Sequence, residues 1–201
     1  MPIPLKQAMK IGTYVMWQKL KGQERYPLVL MLEPLFRCNL ECIGCGKIQK
    51  PNEILNKNLT PDQCLDAANE CDAPVVSIAG GEPLMHPQIV EIVEGLIKQK
   101  RYIYLCTNAL LLKNFFGKLP ISPFLTLSIH LDGLEDDHDR IVDKKGVFKI
   151  AVESVREAKK MGYRVTSATT FFEGTTVEQA ETFLDFLNPL GLDGVTLSSA
   201  F

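Results

Sequence analysis

Cys38, Cys42 and Cys45 form a C-x3-C-x2-C triplet in a polar stretch that follows the apolar run from Leu28 to Pro34. A structural zinc site needs four protein ligands, usually in two pairs, and this triplet has no nearby histidine. A self-contained four-iron ferredoxin site wants a fourth clustered cysteine, which is missing as well. Three thiolates on a four-iron cluster leave one iron open, and that opening lets a small molecule complete its coordination. The spacing recurs nowhere else in the chain, so three incidental loop cysteines are a poor account of it.

Further chemistry-bearing residues follow at the ends of later apolar runs. Gly80-Gly81-Glu82-Pro83 ends one of them; paired glycines let a backbone approach a ligand closely, and Glu82 offers an acceptor for an ammonium. Cys106-Thr107-Asn108 ends the next, where alternation sets Tyr102, Tyr104, Cys106 and Asn108 on one face. In Ser128-Ile129-His130-Leu131-Asp132-Gly133 the same period separates Ser128, His130 and Asp132 from Ile129 and Leu131. In a barrel the polar set points into a wet cavity; otherwise His130 is a satisfied core histidine. Cys64 and Cys71, seven apart on a helix, read as small apolar packers.

The elements that must position these residues alternate between β-branched runs and helical periods, the pattern of repeated βα units and a parallel sheet. Strands are expected at Leu28–Pro34, Pro74–Ala79, Tyr102–Cys106, Phe124–Leu131, Arg164–Thr170 and Val195–Ser199. Thr60-Pro61-Asp62-Gln63 predicts a capped helix to about Cys71, and Thr176 with Gln179 predicts another to about Asn188. Helices are also expected at Pro87–Gln99, near Leu110–Phe116, and at Val147–Met161, the last closed by Gly162. The fold class is α/β: a partial (β/α)6 TIM-like barrel, with functional loops at the strands' C-terminal ends. No helix follows strand six, so the expectation is a barrel truncated there.

The 201 residues, 46% hydrophobic and 23% charged with net charge -2, fit one globular domain and exclude disorder and low-complexity arrays. No apolar run reaches the roughly 18 to 20 residues of a membrane span. No secretory signal is read at the N-terminus, which makes the cytoplasm the default address. The near-neutral total hides a division: residues 1–27 carry net +4 and the remainder net -6. Residues 1–26 therefore read as a basic, amphipathic helical extension, and 27–201 as the barrel. Leu5, Met9, Ile11, Gly12, Val15, Met16 and Leu20 are expected near one side of that helix, with Lys6, Lys10 and Lys19 toward another. Such a helix either rests peripherally on the inner face of an anionic membrane or plugs its own barrel.

The triplet after strand one and the Gly-Gly-Glu-Pro turn after strand two resemble the radical S-adenosylmethionine (SAM) superfamily, across Leu28 to Phe201. The resemblance implies a [4Fe-4S] cluster on Cys38, Cys42 and Cys45, whose open iron binds the amino and carboxylate groups of SAM. An electron from the cluster then cleaves SAM to methionine and a 5'-deoxyadenosyl radical. It further implies that Gly80, Gly81, Glu82 and Pro83 hold the methionine amino group, and that Asn108 lies near the SAM carboxylate or ribose. Ser128, His130 and Asp132 become SAM or substrate contacts. Arg140, within His138-Asp139-Arg140, is structural or helps hold SAM, and Thr169 and Thr170 are further candidates.

At finer grain, Pro4-Leu5-Lys6-Gln7-Ala8, the stretch Glu33 to Leu40, Gly44 to Ile48, Ser77 to Leu84 and Tyr104 to Ala109 resemble the hopanoid-associated radical SAM proteins, the adenosylhopane synthases. That resemblance implies addition of the 5'-deoxyadenosyl radical to the alkene of diploptene, a triterpene, with a flavodoxin- or ferredoxin-type electron donor. Addition creates a substrate radical that must be quenched, and Cys106 is the expected hydrogen donor. Full-length members of that family continue well beyond strand six. Two other readings stand beside it: a peptide-modifying or cofactor-maturing radical SAM enzyme, and a non-catalytic iron-sulfur electron carrier.

Overall fold

The computed structural model describes residues 3–199, so the outermost ends of the two expected segments, 1–26 and 27–201, lie outside the described residues. Strands β1 (Val29–Leu32), β2 (Val75–Ile78), β3 (Tyr102–Thr107), β4 (Leu125–His130), β5 (Arg164–Phe171) and β6 (Gly194–Ser199) are all parallel and paired in chain order. Each strand is carried back to the start of the next by a crossover, and the sheet curls into a half-barrel. The α/β partial-barrel class is as expected.

Alternation decides which face packs. Val76, Ile78, Ile103, Leu105, Leu127, Ile129 and Val165 turn outward and are fully buried beneath the helices, each worth roughly 1.5–3 kcal/mol of burial. The crossover helices α3 (Pro61–Cys71), α4 (Ile89–Lys98), α6 (Val147–Met161) and α7 (Val177–Leu187) present matching stripes. In α6 the buried set Val147, Phe148, Ala151, Val152, Val155 and Ala158 keeps the three-and-four spacing of one helical face. Cys64 is fully buried in this core and Cys71 partly so, in keeping with packing roles.

Local signals fix the helix ends. Thr60 and Thr176 each accept from the backbone N–H of Gln63 and Gln179, whose side chains reach back to the cap N–H, giving two complete capping boxes. Gly162 closes α6 at φ 94°, a left-handed turn that favours glycine.

Three segments differ from expectation. Leu110 to Phe116 forms only a 3-10 turn over Leu112–Phe115. The loop after β1 contains a 3-10 turn over Lys47–Gln49 and a helical turn, α2 (Asn52–Leu55), and Glu135–Ile141 forms a helix, α5. Three acids in the first turn of α5 and His138 and Arg140 in its last suit the helix dipole, a charge order without apolar periodicity.

The N-terminal helix α1 (Leu5–Leu20) also departs from the single apolar side expected. Gln7 is buried and its side-chain amide donates to the Tyr104 hydroxyl at 3.3 Å. Lys10 turns inward too, bonding the Lys100 carbonyl and standing 5.8 Å from the Tyr102 ring. Ile11, Tyr14, Val15 and Gln18 are partly buried, while Leu5, Met9, Met16 and Leu20 are exposed.

Replacing Thr60 or Thr176 by alanine removes one capping acceptor. Each is expected to lower stability by about 1 kcal/mol, read as an earlier urea midpoint at unchanged slope.

Candidate active site

The C-terminal ends of the strands enclose a cavity of about 720 Å³. Its walls include Cys38, Cys42 and Cys45 from the loop after β1, Gly80, Gly81 and Glu82 after β2, and Cys106, Thr107 and Asn108 from β3. His130 and Asp132 contribute from β4, and Thr170, Phe172 and Glu173 from β5.

The cysteine loop is seated by backbone. Ala79 N–H donates to Leu32 O at 2.8 Å, Gly81 N–H to Leu35 O at 3.1 Å, and Glu82 N–H to Arg37 O at 2.8 Å. A Cβ at Gly80 would stand 2.2 Å from Leu35 O, and one at Gly81 1.9 Å from Arg37 O. The glycines are thus required by the approach of the cysteine segment itself, a reason the sequence reading, which assigned it to a ligand, did not contain. Leu40 anchors the loop in a small apolar group with Val142 and Val147, packed against Cys38 and Cys42. Ile43 N–H bonds Ile141 O at 2.8 Å, and Lys47 pairs with Glu33.

Glu82 is 1% exposed and accepts from Thr107 Oγ1 at 2.8 Å, Asn108 N at 2.9 Å and Leu84 N at 3.0 Å. Burial holds its carboxyl above the usual range, against the pull of those three donors. Most of its acceptor capacity is therefore spent on tying β2 to β3, leaving little of the free carboxylate expected from the motif. Pro83 is buried and opens the 3-10 turn Pro83–Met85.

Asn108 donates to Asn39 Oδ1 at 2.7 Å and accepts from Leu110 N at 3.1 Å. Asn39, next to the first cysteine, escaped the sequence reading; only its adjacency to Cys38 hinted at it. Asp132 takes part in three contacts: it pairs with His130, accepts from Thr170 N, and its own N–H donates to His138 Nδ1 at 3.0 Å. Thr169 is buried on the outer face and donates to Leu131 O at 2.8 Å.

Arg140 lies outside the main cavity. It pairs with Asp137 at 3.0 Å and lines an adjoining hollow of about 360 Å³ that shares Asp132, Ile141, Thr170, Phe172 and Glu173 with the main one. The helical turn of α5 sets Asp137 three residues before it, within reach of one guanidinium nitrogen.

Cys106 lines the same cavity as the triplet. Its sulfur is 3.6 Å from Ser77 Oγ and also hydrogen-bonds Ser128, which is buried beneath the cavity floor. Burial pushes this thiol up, and the two serines only partly offset it, so it stays protonated at neutral pH. Burial, with the neighbouring triplet thiols, likewise raises Cys42 to about 11.

The residues present fit a cluster and a cationic small molecule. Among the described residues no three His, Cys, Asp or Glu side chains converge on one ion. A four-iron cluster does not ask for convergence, since each thiolate takes its own iron. Cys38, Cys42 and Cys45 face a cavity with room beyond them, and Asp132 and Glu173 give it an acidic lining.

The family described as the Radical SAM superfamily matches residues 32–187. The chain belongs to that superfamily. Radical SAM proteins use a [4Fe-4S] cluster and SAM and take electrons from a donor. The chain is 27% identical over 156 residues to the GTP 3',8-cyclase of Petrotoga mobilis, covering 74% of this chain and 48% of that protein. It is 25% identical over 161 residues to the mycofactocin maturase MftC of Mycolicibacterium smegmatis, covering 78% and 41%. The fold superposes on Streptococcus suis SuiB bound to S-adenosylmethionine with TM-score 0.75 at 21% identity, over 90% of this chain and 43% of that one. The chain thus spans about half the length of the curated relatives it matches. Among the described residues no helix is long and apolar enough to cross a membrane.

Two outcomes test this geometry. Gly81→Ala is expected to unseat the cysteine loop and to lower iron and sulfide content after anaerobic reconstitution; full loading would show that the close approach is dispensable. Burial, then the His130 ring beside it, pushes His138 down to about 4. Its contribution to stability is whole above the unfolded value near 6.5 and is lost as pH falls towards 4, by about 3 kcal/mol at most. In His138→Gln this part of the pH dependence of the urea midpoint should vanish.

Proposed function

We propose that this radical SAM protein adds the 5'-deoxyadenosyl group to the alkene of diploptene, an apolar triterpene, and quenches the resulting carbon radical with hydrogen from Cys106. The observation that carries this reading is the Cys106 thiol, 3.6 Å from Ser77 Oγ, in the same cavity as the cysteine triplet. The motif resemblance to adenosylhopane synthases supports the choice of substrate. Cluster and SAM, when bound, supply the 5'-deoxyadenosyl radical.

The chain's own residues then have definite tasks. Cys38, Cys42 and Cys45 hold the cluster, while Gly80, Gly81, Glu82 and Pro83 shape the turn against which the methionine end of SAM rests. Asn108, held by Asn39, offers polar atoms to the carboxylate or ribose. His130, fixed by Asp132, faces the same space, and Thr170 closes it from β5. Arg140 acts from the adjoining hollow. Transfer of hydrogen from Cys106 Sγ to the substrate carbon breaks the S–H bond, forms a C–H bond and leaves a thiyl radical. One electron from a flavodoxin- or ferredoxin-type donor and one proton from solvent restore the thiol.

The names of the curated relatives favour a second reading, maturation of a cofactor or peptide, and act as its specific support. Reconstituted protein given dithionite and SAM should release 5'-deoxyadenosine; a cluster without SAM cleavage would instead point to an electron carrier. Adding diploptene should give a covalent adenosyl adduct, whereas turnover of GTP or of a precursor peptide would favour the second reading. Cys106→Ala is expected to cleave SAM still but to stall or misdirect the product. Normal product from that variant would remove the thiol from the mechanism.

A further inference from the structure

The outward face of α1 is apolar and uncovered. Leu5, Met9, Met16 and Leu20 fall within an arc of about 60° at 3.6 residues per turn. Gln7, Ile11, Tyr14 and Gln18, the side chains turned to the barrel, occupy an arc centred about 180° away. The helix therefore has two faces, one spent on packing and one left over. The leftover ridge is well presented: Leu5, Met9, Met16 and Leu20 are 75%, 60%, 65% and 78% exposed, and Trp17 beside them is 57% exposed.

Charge decides what such a ridge fits. Lys6 and Lys19 stand at its two borders, each about 40° outside it. Lys21 lies over the Trp17 ring at 5.1 Å, and Arg25 follows; all four cations are exposed. Lys10, the remaining cation of the helix, is committed to the barrel. Glu24 is the single acid in residues 1–27, whereas the rest of the chain is net negative. A second copy of the chain would present the same cations to these cations. An apolar ridge rimmed by lysines, with an exposed aromatic about 60° outside it, instead matches an interfacial helix on an anionic surface.

We propose that α1 docks this protein on an anionic lipid bilayer through the Leu5, Met9, Met16 and Leu20 ridge, with Lys6, Lys19, Lys21 and Arg25 meeting the headgroups. The helix lies in the interface and its opposite face keeps the barrel attached, through Gln7 and Tyr104. This inference stands independently of which substrate the cavity takes.

Trp17 is the chain's single tryptophan, so its fluorescence reports on this face alone. With the cluster-loaded protein and vesicles of three parts phosphatidylcholine to one part phosphatidylglycerol, Trp17 emission should shift to the blue and the protein should float with the lipid. Pure phosphatidylcholine vesicles and high salt should each weaken both signals. Replacing Lys6 and Lys19 together by glutamine should lower the partition coefficient about 25-fold, at about fivefold per cation. Met9→Glu with Met16→Glu should abolish flotation, with circular dichroism checking that the barrel is kept; if it is not, the lysine pair carries the test. Equal binding to neutral and anionic vesicles, or no shift of Trp17, would overturn the proposal. So would a dimer in solution that the methionine variants dissociate and vesicles leave intact.

Discussion

The close approach of two backbones at the end of β1 and β2 is the constraint on which the site rests. Pairing between these strands runs on past their last residues, through Ala79, Gly81 and Glu82 N–H groups bonded to Leu32, Leu35 and Arg37 carbonyls. Only glycine leaves room for it, because side-chain carbons at 80 and 81 would meet carbonyl oxygens at 2.2 and 1.9 Å. The cysteine loop begins at the residue after Arg37, so its position is inherited from the sheet. Glu82 passes that register on to β3 through Thr107 and Asn108, and Asn108 returns to Asn39 beside the first cysteine. Three strand ends are thereby locked around one volume.

The electrostatics follow from this arrangement. A carboxylate as buried as Glu82 is costly unless its oxygens are met, and they are met by two backbone N–H groups and a hydroxyl. The remaining acids on the wall are Asp132, which pairs with His130, and Glu173. Such a lining favours a ligand that brings positive charge, as the sulfonium and ammonium of SAM do. Cys106 differs from the loop thiols in its setting: it sits on a strand, beside the Ser77 hydroxyl, rather than in a loop.

Much of this was legible in the sequence because it is local. Capping boxes at Thr60 and Thr176, the glycine after α6, and alternation along β3 and β4 each depend on residues within a few positions of one another. The same alternation sets Ser128, His130 and Asp132 on one face and Ile129 and Leu131 on the other; His130 and Asp132 line the cavity, Ser128 is buried outside its lining, and Ile129 and Leu131 are in the core. What escaped depends on distant partners. Glu82 reads as a ligand acceptor until Thr107 and Asn108, some 25 residues on, are seen to occupy it. Arg140 reads as structural or as a SAM contact, and only α5 shows it paired with Asp137 on the adjoining hollow. The sequence puts the apolar residues of α1 near one side, and only contact of Gln7 with Tyr104 reveals which half the barrel takes.

The division between local and distant determinants also bears on how far family membership constrains chemistry. The clamp that seats the cysteine loop is made almost wholly of backbone groups, so it demands two glycines and little else by way of identity. A chain can therefore keep it at 25–28% identity to proteins named for quite different products. Residues such as Cys106, Ser77 and Ser128 lie on strand faces that the clamp does not specify, and there a side chain can change without moving the cysteine loop. The family match over residues 32–187 therefore identifies the superfamily and leaves the reaction to the side chains lining the cavity.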